Sequence, residues 1–398
     1  MNQESFILIT LGVLMFLGLA TDALGRRTHI PRVTLLLLLG LGVGPSGLNV
    51  VTGQEEWLGI IADMALFMLG FLLGEKLRPS AIRRHGAPVL AYSICIAVGT
   101  VGVVTAGLWV YGTALPTALV LGGIAAATDP AAIVDVIREV KSEGPFTRTI
   151  LGIVAVDDAW GLIVFSIMFS LAQTVAGGSA MSMLAHGAWE LFGAILLGVV
   201  LGVPTAYLTG RIRPGEPTLA EALGVVLVCG GVAKWMHVSF LLASMVLGMI
   251  VASTAKHHDR PFHAIENIEW PFLILFFVIA GAKLDLSVLA GVGFLCAGFV
   301  VLRVVGRLLG GLAGGAMVNE AMGERLWMGA SLLPMAGVAL GMALVANERA
   351  PGLGKTILPI VVGATVLFEV IGPVITRIAL NSRGEAGQAS ESTEETAE

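Results

Sequence analysis

The chain has 398 residues, of which 56% are hydrophobic and 13% charged, and its formal net charge at pH 7 is −5. A typical soluble domain is about 25% charged, so this composition excludes a soluble globular protein, and nucleic acid is not an expected partner. Apolar blocks of about 20 residues, enough to cross a bilayer, recur from Phe6 to Leu380. We therefore predict an all-α integral membrane protein over residues 1–380, followed by a disordered acidic cytoplasmic tail over residues 381–398.

Proline, glycine and charged clusters divide the apolar region into about thirteen predicted transmembrane helices. They cover residues 6–24, 31–49, 56–74, 87–110, 115–137, 147–172, 187–209, 218–234, 238–255, 268–282, 288–316, 325–346 and 355–379. Of the 23 Lys and Arg residues, 17 fall on one side of this map, 4 on the other, and 2 within a span. By the positive-inside rule the N-terminus lies outside and the C-terminus in the cytoplasm. Thirteen helices divide into six, one and six, which is compatible with an inverted-topology repeat.

The fifth predicted span contains the run Ala127-Thr128-Asp129-Pro130 near its middle. Proline lacks a backbone donor and disfavours helical geometry in the residue before it, so we expect the helix to break at Asp129. Broken backbone at membrane depth is tolerated where it lines a cavity or is buried in protein. Asp129 is suited to cap the second half-helix and to offset the positive end of its dipole.

The sixth predicted span carries two adjacent carboxylates, Asp157 and Asp158. An ionisable group at the bilayer centre costs about 2.5–3.5 kcal/mol or more, so each is a candidate functional residue. Adjacent helical residues point about 100° apart, which favours two different tasks for the pair. A buried carboxylate that holds either a proton or a cation, but not both, has the chemistry that an exchanger needs.

Two arginines, Arg303 and Arg307, lie four residues apart on one face of the eleventh predicted span. Buried guanidinium groups require counter-charges, and the aspartates are the available partners, although snorkelling is the alternative for each arginine. The acidic residues Asp63 and Glu369 also fall within predicted spans. They either line a funnel or are satisfied locally, and the sequence leaves both possibilities open.

The twelfth predicted span has its own interruption, at Pro334 and Gly337. Spans 5 and 12 occupy corresponding positions in the two halves of the predicted repeat. Paired interruptions of this kind are the best sequence indication of a transport site.

With these motifs the chain resembles the monovalent cation/proton antiporters, in particular the branch with bacterial sodium/proton antiporters and the membrane domain of potassium-efflux systems. The resemblance covers nearly the whole apolar region. It rests on Gly44-Pro-Ser-Gly-Leu48, Thr128-Asp129-Pro130, Asp157-Asp158, Phe276-Phe277 with Gly281 and Asp285, and Arg303-Val-Val-Gly-Arg307.

The resemblance implies that the broken spans 5 and 12 cross within a core domain, formed by helices at about 87–172 and 288–379. This domain would move against a dimerisation scaffold at about 6–74 and 187–282, which implies a homodimer. It also implies that Asp158 is the main carrier of cation and proton, and that Asp157 pairs with the basic residue of span 11, here Arg307. Arginine does not deprotonate in proteins, which argues against a mechanism in which that basic residue carries a proton.

The resulting hypothesis is a secondary antiporter of the plasma (inner) membrane, not an enzyme, that exchanges sodium or potassium for protons without a cofactor. Sodium is favoured over potassium, and Asp157, Asp158, Asp129 and Thr128 form the ion and proton site. A carrier of organic anions with the same fold and a channel are the alternatives. An intramembrane aspartyl protease is disfavoured, because its Gly-x-Gly-Asp signature requires an Asp after Gly and this chain has none.

Overall fold

The computed structural model describes residues 3–28, 32–50, 56–76, 86–177, 180–209, 218–254, 259–283 and 286–387. Within these ranges the regular secondary structure is entirely α-helical, which confirms the predicted all-α fold. The helices are α1 (Gln3–Thr28), α2 (Arg32–Val43), α3 (Glu56–Lys76), α4 (Gly86–Val110), α5 (Leu115–Ala125), α6 (Pro130–Glu139), α7 (Pro145–Gly177), α8 (Ala180–Thr209), α9 (Thr218–Trp235), α10 (Phe240–Thr254), α11 (Asp259–Ala282), α12 (Leu286–Met317), α13 (Met322–Ser331), α14 (Gly337–Arg349) and α15 (Pro351–Ser382).

Many of these helices have the length and apolar composition of membrane spans. Seven candidate spans, or eight with the bent α7, meet both criteria in the described part of the chain. One of the seven, Leu115–Glu139, contains both α5 and α6. The predicted number of thirteen spans and the inverted repeat stay predictions.

The chain divides into two compact units, each built from two separate stretches of sequence. Unit 1 contains Met1–Pro79 and Leu184–Leu289, and unit 2 contains Ser80–Met183 and Ala290–Glu398. Unit 1 therefore holds α1 to α3 and α9 to α11 with most of α8. Unit 2 holds α4 to α7 and α13 to α15 with most of α12.

In unit 1, α3 and α10 pack closely through glycines. A Cβ added at Gly74 would lie 2.2 Å from the Met245 carbonyl oxygen, and one at Gly248 would lie 2.1 Å from the Phe71 carbonyl oxygen. Only residues without a side chain permit this approach of two backbones, as is common for helices packed in membranes.

In unit 2, α12 packs against α4 along a row of glycines at four-residue spacing. A Cβ at Gly310 would lie 2.5 Å from Ile96 Cα, and Gly306 and Gly314 meet α4 one turn away on either side. A buried apolar cluster then joins α4, α6, α7, α13 and α15, with Tyr92, Ile96, Ile133, Ile150, Ile153, Leu332 and Leu380 among its members. This packing fixes α12, which carries the two buried arginines.

The segment after α15 differs from the predicted disorder at residue 381. The helix continues to Ser382, and the side chain of Glu385 is 7% exposed. Its carboxylate accepts hydrogen bonds from the backbone N–H groups of Phe146 and Thr147, at 2.9 and 2.8 Å. Glu385 thus satisfies orphan donors in the first turn of α7, a contact between distant residues that composition does not reveal. Residues 388–398 lie outside the described part.

Candidate functional site

The first interruption in unit 2 separates α5, which ends at Ala125, from α6, which begins at Pro130. Asp129 is the N-cap of α6, with extended backbone geometry. Its carboxylate accepts hydrogen bonds from the N–H groups of Ala131 at 3.1 Å and Ala132 at 3.3 Å. A carboxylate at this position both satisfies free donors and stabilises the positive end of the helix dipole.

The second interruption lies between α13, which ends at Ser331, and α14, which begins at Gly337. The two interruptions meet, because the N–H of Asp129 donates to the carbonyl of Pro334 at 2.9 Å. The carbonyl of Ser331 accepts from the Thr376 hydroxyl of α15 at 2.9 Å. The breaks predicted in spans 5 and 12 are thus brought together within one unit.

Arg303 binds the carbonyl ends of both interrupted helices. Its guanidinium donates to the carbonyl oxygens of Ala125 (3.1 Å) and Ala127 (2.7 Å) after α5, and of Leu333 (2.7 Å) after α13. The side chain is fully buried, and its guanidinium lies 4.4 Å from the ring centroid of Phe368. Among the described residues, the partners of this charge are backbone carbonyls and an aromatic face.

Arg307 joins the first interruption to the acidic helix α7. Its Nη1 lies 3.2 Å from Asp157 Oδ2, while its Nη2 donates to the carbonyls of Ala126 (2.6 Å) and Ala127 (2.8 Å). Nη2 also lies 3.0 Å from the Thr128 hydroxyl, which in turn donates to Asp157 Oδ2. The guanidinium therefore satisfies a helix end and an acid at the same time.

Asp157 is fully buried beside the place where the two interruptions meet, which we call the crossing. Only one of its two carboxylate oxygens forms hydrogen bonds with described residues. Oδ2 accepts from Thr128 and Arg307, whereas Oδ1 is buried and has no hydrogen-bond partner among the described residues. Buried carboxylate oxygens are almost always paired, so an unpartnered oxygen beside an interrupted helix makes Asp157 a candidate ligand-binding residue. A carboxylate oxygen beside uncoiled backbone suits a small cation or a proton.

The remaining predicted site residues occupy different surroundings. The side chain of Asp158 lies outside the described residues, although its backbone belongs to α7. Glu369 of α15 is 2% exposed, and its Oε1 is buried without a hydrogen-bond partner among the described residues. Asp63 belongs to unit 1, where its Oδ2 forms an ion pair with Lys234, while its Oδ1 is buried without a hydrogen-bond partner among the described residues.

Sequence reasoning missed several groups at the crossing. The backbone carbonyls of Ala125, Ala126 and Ala127 accept most of the hydrogen bonds from the two arginines. An alanine side chain gives no indication in the sequence that its carbonyl has this role. Phe368 and Thr376 were also absent from the candidates, since nothing in the sequence pairs α15 with α12 or α13. The sequence indicated these groups only indirectly, because buried guanidinium groups require hydrogen-bond acceptors nearby.

Comparisons with known proteins agree on one family. The family model described as "Sodium/hydrogen exchanger, transmembrane" matches residues 12–381. The high-affinity Na⁺/H⁺ antiporter NhaS3 of Synechocystis is 24% identical, over 80% of this chain and 71% of the relative. The ammonium/H⁺ antiporter subunit AmhT of Alkalihalophilus pseudofirmus is 23% identical, over 82% of this chain and 83% of its own length. The solved structure of the sodium proton antiporter MjNhaP1 from Methanocaldococcus jannaschii superposes with a TM-score of 0.73 at 20% identity, covering 96% of both chains.

Proposed function

Because the chain belongs to the transmembrane sodium/hydrogen exchanger family, we propose that it exchanges a monovalent cation for protons by alternating access. Membership confirms the resemblance that the motifs of spans 5, 6 and 11 indicated. The chain is a multi-pass membrane protein, and members of its family are antiporters rather than enzymes.

The observation that supports this proposal most directly is the buried, unpartnered Oδ1 of Asp157 at the crossing of two interrupted helices. An antiporter needs one site that accepts either a cation or a proton. A carboxylate with a free oxygen provides it, and the neighbouring uncoiled backbone adds further oxygen ligands. Arg307 fixes the other oxygen, so the free one keeps its direction.

The proposed carriers of the proton are carboxylates. Arginine side chains do not release a proton at physiological pH, so we assign no proton transfer to the basic residue of α12. Asp158 is the residue that the family resemblance assigns to the cation and the proton, with Asp157, Thr128 and Asp129 completing the site. The proton that enters during exchange would bind where the cation leaves.

Sodium is the proposed cargo. Hard oxygen ligands suit a hard monovalent cation, and the Synechocystis relative is a Na⁺/H⁺ antiporter by name. The Alkalihalophilus relative is named as an ammonium/H⁺ antiporter subunit, which makes ammonium a second candidate alongside potassium. Organic anions fit less well, because a carboxylate repels them.

The arrangement in the membrane follows from the same family. We propose that unit 2, with its crossed interruptions, is the moving core domain, and that unit 1 is the scaffold through which two copies form a homodimer. The protein would lie in the plasma (inner) membrane, with its N-terminus outside and its C-terminus in the cytoplasm, as the distribution of Lys and Arg predicts.

The decisive experiment measures cation-dependent proton movement in proteoliposomes with a pH-sensitive dye, using Na⁺, Li⁺, K⁺ and NH₄⁺ over a pH series. We expect Asp158→Asn to abolish exchange. Asp157→Asn should weaken the apparent cation affinity about tenfold or more, because a charged ligand is lost. The matched control is Glu266→Gln, which neutralises an exposed carboxylate of α11 in unit 1. Wild-type exchange in both aspartate variants would overturn the proposal.

A further inference from the structure

The segment that follows α15 is attached to the turn between α6 and α7. Residues 383–387, which we call the strap, lie beside Val140, the C-cap of α6. The N–H of Gly387 donates to the Val140 carbonyl at 2.9 Å, and the carbonyl of Glu385 accepts from the N–H of Glu143 at 3.2 Å. Backbone hydrogen bonds therefore join the strap to the end of α6 that is farther from the interruption.

The side chain of Glu385 occupies a socket at the first turn of α7. Its carboxylate accepts hydrogen bonds from the N–H groups of Phe146 (2.9 Å) and Thr147 (2.8 Å) and from the Thr147 hydroxyl (2.7 Å). The socket also requires Gly144, because a Cβ at this position would lie 2.2 Å from Glu385 Cδ. Three donors at a helix N-terminus suit a buried carboxylate, so this side chain is firmly held.

The ion pairs near the strap are weaker attachments. Arg377 of α15 pairs with Glu139 of α6, and Arg383 Nη1 lies 3.9 Å from Glu324 Oε1 of α13. The side chains of the first pair are 46 and 56% exposed, and exposed ion pairs contribute little to stability. Glu385 is therefore the main side-chain attachment of the strap among the described residues.

The position of α6 depends on attachments of this kind, because the helix has only ten residues. Isolated helices of that length are marginally stable, so packing must hold them. One face of α6, with Ile133, Val136 and Ile137, packs in the apolar cluster that also contains Leu380 of α15. The strap adds a second restraint, at the C-terminal end of the helix.

The opposite end of α6 lies at the crossing, about 15 Å from the strap by the helical rise per residue. Asp129 caps this end, and its own N–H is bound to the Pro334 carbonyl. Thr128, the preceding residue, donates to Asp157. With one end of α6 held at the crossing and the other by the strap, loss of the strap leaves the helix free to pivot at Thr128 and Asp129.

We propose that Glu385 is a positioning residue for the cation site. Seated in its socket, it fixes α6 through the strap and thereby keeps Thr128 and Asp129 in place for cation binding. Release of the strap frees the far end of α6, and the site then binds its cation more weakly. This effect on transport rests on the proposed function, whereas the attachment of α6 by the strap does not.

Hydrogen–deuterium exchange, followed by mass spectrometry of the purified protein in lipid nanodiscs, tests the attachment without any transport. Glu385→Gln turns an NH₂ group towards backbone donors, so the amides of α6 should exchange about tenfold faster or more. The matched control Glu143→Gln neutralises an exposed carboxylate in the same turn and keeps its backbone bond to the strap, so α6 should exchange as in the wild type. Faster hydrogen exchange confined to the first turn of α7 would mean that Glu385 only caps that helix, and would overturn the proposal.

A second variant displaces the carboxylate without altering it, and covers the case in which Glu385→Gln is not recovered as folded protein. In Gly144→Ala the three atoms nearest to the new Cβ all belong to Glu385, and the φ of Gly144 is not positive. The backbone therefore accepts alanine, the carboxylate must leave its socket, and α6 should again exchange hydrogen faster. Wild-type hydrogen exchange of α6 in Gly144→Ala contradicts the proposal.

Transport by the same samples separates positioning from a loss of folded protein. A loss of folded protein lowers only the maximal rate, whereas a displaced α6 should raise the apparent KM for Na⁺ severalfold at an unchanged maximal rate per folded molecule. An unchanged KM in Glu385→Gln, together with faster hydrogen exchange of α6, would overturn the role of Glu385 in the site. If the wild type moves no protons with any cation while α6 behaves as expected, the proposed function fails and the attachment by the strap stands.

Discussion

Replacing Arg307 by methionine removes the guanidinium from Asp157 while keeping most of the side-chain volume in a fully buried position. Four acceptors then lose a bond, namely Asp157, the Thr128 hydroxyl and the carbonyls of Ala126 and Ala127, and two of these losses matter most. Asp157 Oδ2 keeps only the Thr128 hydroxyl, and the carbonyl of Ala126 loses its bond to Nη2. The carbonyl of Ala127 keeps its bond to Arg303, so the damage is confined to the acid and one carbonyl.

The expected magnitude follows from these two losses. Removing one partner of a buried ion pair costs about 3–5 kcal/mol, because the other charge is left uncompensated. One unsatisfied carbonyl adds about 1–3 kcal/mol. Domains are stable by about 5–15 kcal/mol, so Arg307→Met should remove a large part of the free energy of unfolding. Adding Asp157→Asn eliminates the unpaired charge, and the double variant should recover about 2–3 kcal/mol relative to the sum of the single losses.

Equilibrium unfolding in mixed micelles, followed by tryptophan fluorescence as the fraction of sodium dodecyl sulfate rises, gives the four free energies of this cycle. The reasoning requires that the Arg307→Met and Asp157→Asn losses are strongly non-additive. If they add to within about 0.5 kcal/mol, the two side chains do not interact in the native protein, and the described ion pair is wrong.

Three further predictions use the same unfolding assay. Glu385→Ala removes the cap of α7 and should cost about 1–2 kcal/mol; an unchanged stability would contradict the docking of this segment. Gly310→Ala forces a Cβ to 2.5 Å from the α4 backbone and should cost about 1–3 kcal/mol, whereas Gly293→Ala, with open space at the Cβ position on the same helix, should be neutral. The hydrogen bond with Glu324, together with burial, raises the pKa of Glu320 above its ordinary value of 4.5. A raised folded pKa means that stability is lost as pH rises through it, so Glu320→Gln should stabilise the protein at pH 8 and change nothing below 4.5; equal effects at both pH values would refute this assignment.

The interruptions of the helices follow from local chemistry. Pro130 cannot donate a backbone hydrogen bond, and Asp129 is a good N-cap residue. A helix break at this position is therefore predictable from the four residues Ala127 to Pro130 alone. At the second interruption Pro334 also lacks a backbone N–H, and α14 begins at Gly337 without a side-chain cap. Such features can be read from sequence because the residues that cause them are also the residues that change conformation.

The partners of the arginines do not follow from local chemistry. Arg303 is distant in sequence from the carbonyls of Ala125 and Ala127, and a carbonyl is present at every residue, so no side-chain pattern identifies the accepting one. The sequence therefore indicates that buried guanidinium groups need acceptors but not which ones. The hydrogen bond from the Thr376 hydroxyl to the Ser331 carbonyl was missed for the same reason, since it depends on how α15 packs against α13.

The number of acceptors at the crossing explains why arginine occupies position 307. Its guanidinium contacts Asp157, Thr128 and the carbonyls of Ala126 and Ala127, which are four acceptors in different directions. A lysine has three N–H donors on one nitrogen and would leave at least one of the four without a bond. The arginine at this position thus holds the interrupted backbone and the acid together through four contacts, and arginine is not a proton carrier in proteins. Under the proposed function, the exchanged protons are therefore carried by carboxyl groups and not by Arg307.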